Sequence, residues 1–276
     1  MKRYFAFGCS YTEYQWPMLP DLIGVNFDEY YNFGAAGACH HYMLAQLIQA
    51  NELYTFNKDT DYITIGTTGF GRFSYVTKEE PQAWKKTGDI FPEYTGHPDQ
   101  ARLWAREFDS HKWSVYRSLS SLKTMIALLN SMGIKYKVYA SVYNKHLDPV
   151  TLERQPLDDE TIHMIKEFNS LVRSYTKESV DDYLADWLYS RGEYNHPWID
   201  GHPPLHVSYR YLQNYFPEFD TDETKKVYNQ QHSAMQTTPI KNEYEDFYLE
   251  SYKRKYRTDY DYIFKLKHHP YYVTKT

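Results

Sequence analysis

Residues 4–12 read Tyr4-Phe5-Ala6-Phe7-Gly8-Cys9-Ser10-Tyr11-Thr12, and everything after them takes its architecture from this stretch. Four apolar residues in a row are too few for a helix and suit a short strand buried on both faces. Gly8 ends the run and opens a turn. A helix is expected to begin soon after Ser10. Strand, turn and helix in that order are the start of a βα unit, and such units build parallel sheets.

The same pattern repeats downstream. Residues 29–33 form a second short strand candidate, followed by Gly34 and Gly37 and then by an amphipathic helix carrying Met43, Leu44, Leu47 and Ile48. Residues 62–66 are a third strand. Residues 72–113 are polar and aromatic, contain Pro81, Pro92 and Pro98, and show no period, so they read as an insertion over one face. The strongest helix runs over residues 114–132, with Val115, Leu119, Leu122, Ile126 and Leu129 on one stripe and Gly133 as the stop. Residues 134–142 alternate as a fourth strand. A polar helix over 158–175 and a short one over 181–189 follow. The expected fold is a three-layer α/β/α domain with a parallel, flavodoxin-like central sheet, over residues 1–218. From about residue 219 the character changes. Tyr244, Tyr248, Tyr252, Tyr256 and Tyr260 recur every four residues, so residues 219–276 are expected to be a Tyr-rich helical extension.

The chain has 276 residues, enough for one large domain with a real core. A net charge of -5 argues against a general nucleic-acid partner, whose phosphates call for a basic face. No stretch has the length of a membrane span, and the apolar run at the start is too short for a signal peptide. A cytoplasmic or virion-associated protein is therefore expected. Two cysteines, Cys9 and Cys39, make no disulfide framework. The 30 tyrosines suit wet binding surfaces, sugar-binding faces among them, as well as ordinary half-buried packing. The histidines, His40-His41 and His268-His269 included, show no trustworthy metal-ligand spacing and are expected at the surface, so neither a metal nor a cofactor is expected.

In a parallel sheet of this kind the site lies beyond the carboxyl ends of the strands, where Gly8, Gly34 to Gly37 and Gly66 should converge. Three segments there carry chemistry. Ser10 sits in a turn after a strand, an exposed mount for a hydroxyl nucleophile; a serine so placed also serves as a plain helix cap. Asp200-Gly201-His202-Pro203-Pro204 sets a carboxylate beside an imidazole. Pro203 stiffens His202 into an extended conformation, and a helix begins near Pro204, with Leu205, Leu212 and Phe216 inward. Asn32-Phe33-Gly34-Ala35-Ala36-Gly37-Ala38 is a small-residue loop in which Gly37 could donate its N–H to an oxyanion; packing alone would also explain it.

Together these blocks resemble the SGNH/GDSL hydrolase family, in particular its short phage and bacterial members. Gly8-Cys9-Ser10-Tyr11-Thr12 is similar to the family's first block, with Cys9 where Asp is usual. Residues 32–37 are similar to the second and Asp200 to Pro203 to the last. The resemblance implies Ser10 as nucleophile, His202 as base and Asp200 as its partner. It implies an oxyanion hole of Gly37 with the Ser10 amide, and a small acyl ester, often an O-acetylated carbohydrate, as substrate. Two positions depart from the pattern. Gly66-Thr67-Thr68-Gly69 lacks the family's Asn, so Thr68 is expected to supply a hydroxyl instead. Only Gly201 separates Asp200 from His202, which leaves His206, then His196, as fallback bases. Tyr11, Thr12 and Arg72 are the candidate substrate contacts. An O-acyltransferase on the same triad and a binding protein with a degraded site remain as alternatives.

Overall fold

The computed structural model describes residues 1–13, 17–76, 84–89, 110–141, 157–190 and 202–236. The central sheet has four parallel strands in the order β2-β1-β3-β6: β1 (Arg3–Gly8), β2 (Glu29–Gly34), β3 (Asp61–Thr67) and β6 (Lys135–Ala140). Gly8 is level with Gly34, Phe7 with Ile65, and Thr67 with Ala140, so all four strands end along one edge.

Alternation along β1 explains the layers, because successive side chains point to opposite faces. Phe5 and Phe7 face α2 (His40–Tyr54): Phe5 stacks on Tyr31 at 4.9 Å and Phe7 on Phe33 at 5.0 Å, and Tyr54 of α2 lies 5.7 Å from Phe5. Helix α3 (His111–Ser131) packs on α2, and α4 (Asp159–Arg173) on α3 and β6. Tyr4 points the other way, stacking on Tyr30 at 5.1 Å and Phe27 at 5.2 Å. On that face lie α1 (Leu19–Gly24), α5 (Val180–Ser190), α6 (Leu205–Tyr215) and α7 (Asp222–Gln236), in mutual contact through α6 and α1. The expected three-layer α/β/α fold with a helical C-terminal part is what the chain adopts. A fully buried Phe or Leu stabilises the fold by roughly 1.5–3 kcal/mol, so this two-sided aromatic core is its main support.

Local sequence explains the element ends. Ser110 caps α3 by accepting the Trp113 N–H, and Gly133, at φ 67°, stops it in the left-handed conformation glycine favours. Asp158 caps α4 through the Thr161 N–H. At the amino edge of the sheet Arg3 forks onto buried Asp61, with Nε–Oδ1 at 2.8 Å and a second nitrogen to Oδ2 at 2.6 Å. The same carboxylate accepts the Asn57 N–H and the Thr60 hydroxyl.

Two features differ from the sequence reading. No helix starts directly after Ser10: the Thr12 and Glu13 N–H groups close a turn on the Cys9 carbonyl, and α1 begins at Leu19. The insertion carries structure of its own, with β4 (Arg72–Val76) antiparallel to β5 (Trp84–Asp89). Helix α7, within the expected helical extension, packs on the sheet's helices: Thr221 donates its hydroxyl to Asn26 at 2.7 Å, and Asn26 donates to Thr224. Residues 237–276, with the periodic tyrosines, lie outside the described residues. Among the described residues no helix is long and apolar enough to cross a membrane.

Candidate active site

β1 runs between β2 and β3, so the chain winds one way after β1 and the other after β2, and the crevice at this reversal is where parallel sheets hold ligands. Ser10, two residues past the end of β1, sits there and is 5% exposed.

The turn is held from below by Thr12. Its hydroxyl pairs with the Tyr139 phenol at 3.0 Å, and its backbone carbonyl accepts from Asn32 at 2.9 Å. Gly8 and Gly34 make room for this side chain, and Gly66 for Tyr139. A Cβ on Gly8 would lie 1.9 Å from Thr12 Oγ1, and one on Gly34 would lie 2.8 Å from Thr12 Cβ and the Glu13 amide. A Cβ on Gly66 would meet the Tyr139 hydroxyl at 2.6 Å and Ser141 Oγ at 2.7 Å. These three glycines therefore make room for the protein's own side chains rather than for a ligand. Thr12, expected at the substrate, is fully buried and committed to this packing. Burial sets the Tyr139 phenol well above its ordinary range, and the neighbouring Thr12 and Ser141 hydroxyls, which pull the other way, offset this only in part, so it stays protonated.

Gly37, in the loop after β2, has φ 73°, a conformation that a side chain would strain. It is half-buried in the segment between β2 and α2. Tyr11 is largely buried and donates its hydroxyl to Asp181, at the start of α5, at 3.1 Å. Burial, then the Asp181 charge, raises the Tyr11 phenol well above its usual range.

His202 comes to this turn. Its ring centroid lies 5.4 Å from that of Tyr11, the residue after Ser10. His202 is half-buried in an extended lead into α6, which Pro204 opens at φ -66°, ψ 161°. Ser10 and His202 form no direct hydrogen bond with each other. Asp200 and the weaker fallback His196 lie outside the described residues. His206, the first fallback, turns toward α7 instead, with its ring 5.9 Å from that of His232.

Thr68 ends the loop side of β3. It is fully buried, its N–H donates to Nε2 of His40 at 3.2 Å, and its hydroxyl has no hydrogen-bond partner among the described residues. Since Phe7 is level with Ile65, Ser10 and Thr68 stand the same number of residues beyond paired positions of neighbouring strands. Arg72 opens β4 four residues later, and its carbonyl accepts from Arg117 at 3.1 Å. Its positive charge acts on both His40 and Tyr11.

His40 is the residue the sequence reading missed. Expected at the surface, it is 1% exposed at the start of α2. Burial, helped by the positive charges of Arg72 and Arg117, pulls its pKa down to about 3, so the ring is neutral near pH 7. Its neighbour His41 is the exposed one. Nothing in the His-His pair distinguishes them; only the register of α2 on the sheet does. Among the described residues no group of three or more His, Cys, Asp or Glu side chains is arranged to hold a metal ion, and Cys9 and Cys39 are both free thiols.

No family model matches the chain, and no curated protein matches it. Among solved structures it is similar to a "putative acylhydrolase" of Bacteroides fragilis, at 18% identity and a TM-score of 0.32, over 64% of this chain and 63% of that one. The chain thus spans less than two thirds of that protein, and a likeness of this extent carries no argument about the reaction.

Proposed function

We propose that this chain is a serine esterase of the SGNH/GDSL type that removes small acyl groups, chiefly O-acetyl, from a carbohydrate or a similar ester. The observation that carries this reading is the contact between the Tyr11 and His202 rings, 5.4 Å apart, which joins the serine turn to a segment from the far end of the domain. Its location at the strand-order reversal supports a ligand site.

In this mechanism Ser10 Oγ attacks the ester carbonyl carbon while His202 takes the hydroxyl proton. Asp200 holds the imidazole and balances the charge it gains. The negative oxygen of the tetrahedral intermediate is met by the Ser10 and Gly37 N–H groups and by the Thr68 hydroxyl. The Thr68 N–H plays no part, because it is already donated to His40. Collapse expels the alcohol, which receives the proton from His202. Water, deprotonated by the same ring, then releases the acid and regenerates Ser10. The serine–histidine hydrogen bond forms when substrate closes the site, as catalytic contacts of unliganded enzymes commonly do.

Turnover of p-nitrophenyl acetate by the wild type and by Ser10→Ala tests the reading, with fluorophosphonate labelling as a second readout. Loss of both signals in the variant is expected. Equal rates in the two proteins remove Ser10 from the mechanism.

A further inference from the structure

The His40–Thr68 hydrogen bond lies at the arm of the oxyanion hole where this sequence departs from the family pattern. We infer that His40 is the positioning residue for Thr68: by accepting the Thr68 N–H it fixes the backbone there and leaves the hydroxyl as that residue's only free donor for the oxyanion.

Four observations carry this. Nε2 of His40 accepts the Thr68 N–H at 3.2 Å, so in a neutral ring the proton sits on Nδ1. Both residues are essentially buried, so water does not compete for the bond. Thr68 Oγ1 and His40 Nδ1 are buried polar atoms with no partner among the described residues, a costly state that buried groups rarely keep without a role. The ring also packs edge-on against Phe168 of α4 at 5.2 Å, which holds its plane. Burial among the positive charges of Arg72 and Arg117 keeps the acceptor nitrogen unprotonated throughout the neutral range. A protonated ring could not accept at all, so the buried setting and the bond depend on each other.

This inference rests on the esterase reading for its catalytic consequence but not for its structural content, and the experiment separates the two. The ¹⁵N spectrum of the wild-type histidine rings is expected to show His40 as the Nδ1–H tautomer, unchanged from pH 5 to pH 9. An Nε2–H tautomer, or titration near pH 6.5, overturns the inference whatever the enzyme does. For catalysis, His40→Leu removes the acceptor, whereas His40→Gln retains one. In folded His40→Leu, kcat is expected to fall about 10- to 100-fold, the scale of a misplaced catalytic group, with KM and the shape of the pH–rate profile unchanged. His40→Gln is expected to recover most of it. Wild-type kcat in His40→Leu overturns the inference, as does a His40→Gln no better than His40→Leu. Should His40→Leu not fold, the ring spectrum and the His40→Gln rate decide. If Ser10→Ala retains full activity, the esterase reading fails while the ring spectrum still tests the His40–Thr68 bond.

Discussion

Gly8→Ala tests how the serine turn is built. The new methyl would sit 1.9 Å from Thr12 Oγ1 and 3.2 Å from the Gly66 carbonyl. Thr12 has nowhere to go, since Gly34 lies against its Cβ and Tyr139 holds its hydroxyl. Overpacking of this kind costs about 1–3 kcal/mol. Thr12→Ala alone loses the Tyr139 hydrogen bond and orphans a buried phenol, at a similar cost of about 1–3 kcal/mol. The double variant removes the closest clash, so the two losses should not add: a favourable coupling of about 1–2 kcal/mol is predicted, within the range for residues in contact. For a domain of this size that equals roughly 2–8 °C of melting temperature. The assay is urea or thermal unfolding of all four proteins under one set of conditions. Strict additivity would refute the claim that Gly8 exists to admit Thr12, and would return that glycine to a role in turn conformation or ligand access.

Thr68→Val replaces the buried hydroxyl by a methyl of equal size, so the prediction is a kcat about 100- to 1000-fold lower with unfolding stability unchanged or slightly raised; an unaltered kcat removes Thr68 from the oxyanion hole. Acid stability should carry the signature of His40. Its folded pKa, about 3, lies below the ordinary 6.5, so the unfolded chain binds the proton first and stability is lost as pH falls from 6.5 toward 3. At pH 5 this amounts to about 2 kcal/mol relative to pH 7, and His40→Gln should flatten that limb; identical pH dependence in both proteins contradicts the assignment. Asp61→Ala strips Arg3 of its buried partner and orphans the Asn57 N–H, for a loss of about 3–5 kcal/mol by chemical denaturation. A loss under 1 kcal/mol would mean that water or a neighbour replaces the carboxylate.

The parallel sheet was legible because its strands are short, wholly apolar or alternating, and the first three carry a glycine at their carboxyl ends. Tyr4 to Phe7 and Ile63 to Ile65 are buried on both faces, and no other arrangement hides them. Helix α3 was legible from its stripe and from Gly133. The hairpin of β4 and β5 was not, since Arg-Phe-Ser-Tyr-Val alternates over only four residues and Trp-Lys-Lys-Thr-Gly-Asp not at all, too little to separate them from a loop. Helix α7 was expected as helix, but the face it buries was not legible: its buried side chains include Thr224 and Gln231 beside Val227, so its contacts are largely polar and leave no hydrophobic period. At the site, the sequence pointed to Ser10 and His202 through their local turns. It could not reveal His40, because burial of one histidine in a pair depends on which face of α2 meets the sheet. Nor could it tell that Gly8, Gly34 and Gly66 serve Thr12 and Tyr139, since a glycine looks the same in sequence whether it admits a ligand or a neighbouring side chain.

The interlock of Thr12 with Tyr139 has a bearing on any attempt to transplant this chemistry. The serine loop cannot be grafted onto another sheet as a five-residue cassette, because the phenol that props it comes from a strand two places away and more than a hundred residues downstream. A recipient scaffold must bring that tyrosine and the small residues that clear its path, or the loop will settle into a different shape.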